Sequence, residues 1–245
     1  TIYLNLAFIN FQKGEKDEMQ EILIKAVNLG IRNTEIFTNL GNIFFQKRNF
    51  DQAIIFFKEA INSKPDNFNV HYNLGCLFIE IKDYAKAINS LKNALKINPN
   101  LAKAYNNLGT SALNLNKDEE AITHFNKAIS IDPESIIAYS NLCGLFEKSN
   151  KIKEFENILE KAKELKLDQF DEIKFHEAQF FSRKKDFERS ILLLKSIDDN
   201  EIFNITRPMD FTVNSGGVAT ALDYVTKLNR QTASDITVTS ILTIS

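Results

Sequence analysis

The sequence predicts an all-α fold: a solenoid of about six helix-turn-helix units with a short C-terminal appendage. Three observations lead there. Shifted against itself by 34 positions, the chain aligns Leu6, Leu40, Leu74, Leu108 and Leu142, and likewise Ala26, Ala60, Ala94, Ala128 and Ala162. Each unit carries two apolar stripes at helical spacing, parted by a short polar break such as Lys47-Arg48-Asn49 or Asn116-Lys117-Asp118. Only four Pro and eight Gly in 245 residues favour long regular elements over a turn-rich β fold.

Taken in order, the units run 1–33, 34–67, 68–101, 102–135, 136–169 and a degenerate 170–203. In the fourth, Leu108, Ala112 and Leu115 share one helical face and Ala121, Phe125 and Ala128 another, so the unit reads helix, tight turn, helix. Pro65, Pro99 and Pro133 stop the second helix in three successive units, because proline lacks an amide hydrogen and clashes with the preceding turn. Small residues recur in phase at Gly41, Ala53, Gly75, Ala87, Gly109 and Ala121, and another column, Leu23, Phe57, Leu91, Phe125 and Leu159, is always large and apolar. That pattern expects helices that cross closely, with knobs filling holes. After Leu167 the register slips by one: Phe187-Glu188-Arg189-Ser190-Ile191 matches Phe50-Asp51-Gln52-Ala53-Ile54 at a shift of 137, and Ala178 takes the glycine position.

From about Asn204 the composition turns Thr-rich. Ala219, Leu222, Val225 and Leu228 trace a helical face after Ser215-Gly216-Gly217, and Asp235 to Thr239 alternates like a strand. Residues 204–245 are expected to be a cap for the last repeat or the truncated start of another domain. The chain opens at Thr1, inside a repeat helix, as an excerpt of a longer protein would.

Composition narrows the function classes. Thirty Lys+Arg against 32 Asp+Glu leave no basic excess for a phosphate backbone, so nucleic acid is not expected as a partner. Cys76 and Cys143 lie 67 residues apart in corresponding parts of two repeats, which is not a disulfide framework. With no apolar run long enough for a membrane span and no signal-like N-terminus, a cytoplasmic, reduced setting is the expectation. His71, His124 and His176 have no zinc-like spacing, so no metal or other cofactor is expected. No phosphate-loop, nucleophile-elbow or dinucleotide-binding motif occurs, and Gly216-Gly217 reads as a turn.

These residues resemble the tetratricopeptide repeat family. Its pattern of a Leu-Gly pair, an aromatic three residues on, then Ala, a large residue, Ala and Pro is present as Leu40-Gly41, Phe44, Ala53, Phe57, Ala60 and Pro65. It returns as Leu74-Gly75, Phe78, Ala87, Leu91, Ala94 and Pro99. The resemblance covers residues 1 to about 200. It implies a right-handed superhelix whose first helices line a concave groove for peptide or protein segments, without catalysis of its own.

One column stands out. The residue before the repeated Leu is Asn5, Asn39, Asn73, Asn107 and Asn141. Asn is 27 of the 245 residues, so five of five has odds of roughly one in 60,000, and composition does not explain it. A side-chain amide offers the donor and acceptor that a peptide backbone needs, and the column resembles the asparagine ladder in the repeat arm of O-linked N-acetylglucosamine transferases. The other reading is that these amides bridge adjacent repeats or cap local backbone. If they grip a peptide, replacing Asn73 and Asn107 by Ala leaves stability nearly unchanged. If they bridge repeats, it does not.

Beside the ladder lies a secondary set, Asn42, Tyr72, Cys76, Asn106 and Thr110. Six residues along come Phe11, Phe45, Ile79, Leu113 and Glu147, read first as core between repeats and second as apolar spots in a groove. His176 falls in the ladder column of the sixth repeat. The position before the ladder, Leu4, Thr38, Tyr72, Asn106 and Ser140, holds no cation, so the carboxylate clamp of co-chaperone repeats is not expected. The leading expectation is a non-catalytic scaffold that holds an extended segment of a protein partner. The rival is the recognition arm of a larger glycosyl- or sulfo-transferase. Self-association through terminal repeats is a third possibility.

Overall fold

The computed structural model describes residues 2–197. They form twelve α-helices and one 3₁₀ turn, with no strand among the described residues. The described residues divide into two compact units between Ala121 and Ile122. The helix and strand expected after residue 204 lie outside the described residues, as does the stretch on which the transferase-arm reading turns.

In the first unit the order is α1 (Ile2–Lys13), α2 (Lys16–Asn28), α3 (Thr34–Gln46), α4 (Phe50–Ser63), α5 (Phe68–Glu80), α6 (Tyr84–Ile97) and α7 (Ala102–Asn114). Helix α8 (Asp118–Ile131) runs across the boundary. The second unit continues with α9 (Ile136–Lys148), α10 (Ile152–Glu164), α11 (Asp171–Arg183) and α12 (Phe187–Lys195). α4, α6 and α8 end at Ser63, Ile97 and Ile131, each two residues before the prolines that were expected to stop them.

The turn inside each repeat is built the same way. Arg48 takes a left-handed conformation (φ 58°), as do Lys82, Asn116, Asn150 and Lys185 at the matching places, where the first repeat has Gly14. This conformation lets the Asn49 amide donate to Phe44 O at 2.8 Å and the Arg48 amide to Phe45 O at 2.9 Å, satisfying two carbonyls at the end of α3. The next residue then starts the second helix. Asn49 Oδ1 accepts from the Gln52 amide and Asp83 Oδ1 from the Lys86 amide, so one polar residue both closes one helix and caps the next. A left-handed, non-glycine residue is strained by roughly 1 kcal/mol. The two hydrogen bonds offset it.

The core follows the size pattern. Ala53, Phe57, Ala60, Ala87 and Leu91 are fully buried in one cluster with Val70, Leu74 and Leu77. A second cluster joins Met19, Leu23 and Ala26 of α2 to Ile36, Leu40 and Ile43 of α3, so α2 packs on its partner α1 and on the following α3. The Phe44 and Phe56 rings stack at 5.4 Å between centroids, adding to the area they bury. In the second unit Phe155 stacks on Phe180 at 4.3 Å. The one-residue slip is taken up before α11 by a left-handed Lys166 (φ 57°) and the 3₁₀ turn Leu167–Gln169.

Candidate binding face on the first helices

Helical spacing sets Asn39 between Ile36 and Ile43 of α3 and Asn73 between Val70 and Leu77 of α5, at the edge of the buried stripe, with Asn5 at the matching place on α1. Asn5 is exposed and Asn39 half-buried, and neither makes a side-chain hydrogen bond within the described residues. The next two members of the column are engaged. Asn73 Nδ2 donates to Asn42 Oδ1 at 2.9 Å, and Asn107 Nδ2 donates to Cys76 Sγ at 3.2 Å. Both pairs span 31 residues, so the ladder position of one repeat meets the position three residues past the ladder in the repeat before. Asn107 is 3% exposed. For Asn73 and Asn107 the bridging geometry offered by the sequence is therefore present, and each keeps a second N–H and its carbonyl lone pairs. Asn141, in the second unit, is half-buried.

The secondary set divides in the same way. Asn42 is spent on Asn73, and Cys76, half-buried, accepts from Asn107. Tyr72 is half-buried, whereas Asn106 and Thr110 are buried. Thr110 Oγ1 is a buried hydroxyl without a hydrogen-bond partner in the structure. Ile79 belongs to the core cluster and Phe45 packs against it, 6.1 Å from the Phe50 ring. The core reading thus holds for these two, while their counterpart Phe11 is 56% exposed and Phe8 61% exposed. The face is consequently open at α1 and α3 and closed at α7.

In the second unit a carboxylate, Glu147, stands in the column that holds Phe11, Phe45 and Ile79 in the first. Arg183 binds Glu147 twice, from Nη2 to Oε1 at 2.8 Å and from Nη1 to the Glu147 carbonyl at 2.6 Å. His176, at the ladder position, lies on the same carboxylate with Nδ1 3.8 Å from Oε2. A Cβ on Gly144 would fall 2.9 Å from His176 Cε1, so the missing side chain at Gly144 makes room for an imidazole where the other repeats have Asn. Arg183 is the residue that sequence reading overlooked. The register slip hides its alignment with Glu147, 36 residues earlier. Nearby, Glu177 is buried and paired to Lys163 at 2.8 Å. Burial, helped by Glu177 and Glu147, pushes the Cys143 thiol up to about 12. A hollow of about 430 Å³ between α10, α11 and α12 is rimmed by Lys163, Lys184 and Arg189. These cations are paired to Glu177, Glu156 and Asp186.

Among the described residues no cluster of three or more His, Cys, Asp or Glu is placed to hold a metal, and no helix is long and apolar enough to cross a membrane.

Models of the tetratricopeptide repeat match residues 1–29, 41–81, 75–114 and 102–135, together more than half of the chain. No curated protein matches. Solved structures do. A crystal structure of MamA protein is 26% identical over 66% of this chain and 91% of its own, with a TM-score of 0.61. PilF of Pseudomonas aeruginosa is 18% identical, covering 78% and 87%, at 0.66. YrrB, described as a TPR protein with an unusual peptide-binding site, is 21% identical, covering 75% and 90%, at 0.60.

Proposed function

Because the chain belongs to the tetratricopeptide repeat family, we propose that it is a non-catalytic scaffold whose first-helix face holds an extended segment of another protein. One observation carries this reading: Phe8 and Phe11, large apolar side chains outside the core, stand exposed on α1, three and six residues after the ladder position Asn5. Exposed aromatics rimmed by polar groups mark interaction surfaces. Amides beside them supply backbone hydrogen bonds without demanding a sequence. The peptide-binding site described for YrrB, whose fold is similar, is consistent with such a use.

The grip is assigned to Asn5 and Asn39 first, with the free N–H of Asn73 as a third contact. Asn107 and Asn141 complete the column and contribute less, Asn107 because it is buried. Affinity capture of partners on the full chain tests the proposal. The Asn5→Ala/Asn39→Ala and Phe8→Ser/Phe11→Ser variants should each lose the captured protein while retaining helix content and melting temperature. Capture that both variants preserve refutes it.

A further inference from the structure

Charge is segregated between the two helix layers of the first unit. Helices α2, α4 and α6 carry eleven Asp, Glu, Lys and Arg residues, whereas α1, α3 and α5 carry three. Those three are Lys13, Glu35 and Glu80, all at helix ends, and Glu80 is already paired with Arg48 at 3.0 Å. Along the middle of the first helices the face presents only neutral groups: Asn5, Phe8 and Phe11 on α1, Thr38, Asn39 and Asn42 on α3. Such a face cannot return the hydration that a charged side chain would lose on docking, because no counter-charge waits for it. An uncharged side chain loses little, and the exposed Phe8 and Phe11 reward an apolar one.

We propose that the segment bound by this face is an extended stretch of protein free of Asp, Glu, Lys and Arg, with a large apolar side chain seated at Phe8 and Phe11. The inference rests on the groove reading above and specifies its partner. Charge therefore acts as the discriminator: the face accepts neutral segments broadly and excludes charged ones by desolvation.

Selection from a phage-displayed random dodecapeptide library on the full-length chain tests this. Recovered peptides should be depleted in charged residues across their central positions, and placing one Asp or one Lys at the centre of a recovered peptide should weaken binding at least tenfold. The Phe8→Glu variant should shift recovery toward Lys- and Arg-containing peptides. Recovered peptides with charged centres, or a Phe8→Glu variant with an unchanged preference, overturn the inference while leaving groove binding intact. No peptide enrichment at all overturns both. A dimer in light scattering that Phe8→Ser/Phe11→Ser dissolves, with no peptide bound, identifies a second copy as the occupant and also overturns it.

Discussion

Asn73 of α5 donates its side-chain amide to Asn42 of α3 at 2.9 Å, across the junction of two repeats. The same geometry joins Asn107 to Cys76. An inter-repeat hydrogen bond of this kind contributes ~1 kcal/mol net. Asn73→Ala should therefore lower unfolding stability by ~0.5–1.5 kcal/mol, and Asn107→Ala by ~1–2 kcal/mol, since its buried volume is lost as well. Asn5→Ala and Asn39→Ala should stay within about 0.5 kcal/mol of wild type. Urea titrations of the four variants separate the structural rungs from the open ones. Equal stability for all four would leave the bridges without energetic meaning.

Gly41 faces Phe57 so closely that a Cβ would sit 2.6 Å from two ring carbons, and the ring is fully buried. Helix propensity favours Ala over Gly by about 1 kcal/mol, yet overpacking against a ring that cannot retreat costs about 1–3 kcal/mol. Gly41→Ala should be net destabilising, by about 1 kcal/mol or more. Gly75→Ala meets Leu91 at 2.8 Å; an aliphatic chain can shift its rotamer, so its effect should be smaller. Thermal melts of the two variants give the order.

In the second unit Glu147 is a nearly buried carboxylate held by Arg183. Removing the cation strands the anion. Arg183→Ala should lower stability by ~1–3 kcal/mol, and in a double-mutant cycle with Glu147→Gln the loss should be largely recovered. Additive effects of the two changes would show that the pair is not coupled.

The Cys143 thiol is buried and raised to about 12, first by desolvation and then by Glu177 and Glu147. Its pKa is higher folded than unfolded, so its contribution to stability is whole below the unfolded thiol range near 8.5. That contribution is lost as pH rises toward the folded value. Stability should fall between about pH 9 and pH 12, and Cys143→Ser should flatten part of that fall. At pH 8 a thiol reagent should leave Cys143 unmodified in the native protein. Mass spectrometry before and after unfolding checks this, and native-state labelling would contradict it.

How much was legible beforehand can be judged from particular residues. Pro65, Pro99 and Pro133 announce the ends of α4, α6 and α8, and the small residues recurring at Gly41, Gly75 and Ala87 announce a close crossing, because both are local consequences of covalent geometry and volume repeated in phase. The left-handed turns were not legible. Arg48 and Lys82 carry no glycine signal, and only the pair of hydrogen bonds they complete makes that conformation affordable. The pairing of Asn73 with Asn42, and of His176 with Gly144 and Glu147, was hidden as well, since partners 29 to 32 residues apart touch only once the helices have stacked.

The sequence by itself determined the repeat, the ends of α4, α6 and α8 and the family, because periodic apolar and small residues can be satisfied only by helix pairs that bury one another. It also marked a column of asparagines. Only the tertiary structure decided what that column does at each rung, since an amide's role depends on what lies across the repeat junction. At Asn73 and Asn107 a neighbour's oxygen or sulfur lies there. For Asn5 and Asn39 no side-chain partner lies within the described residues.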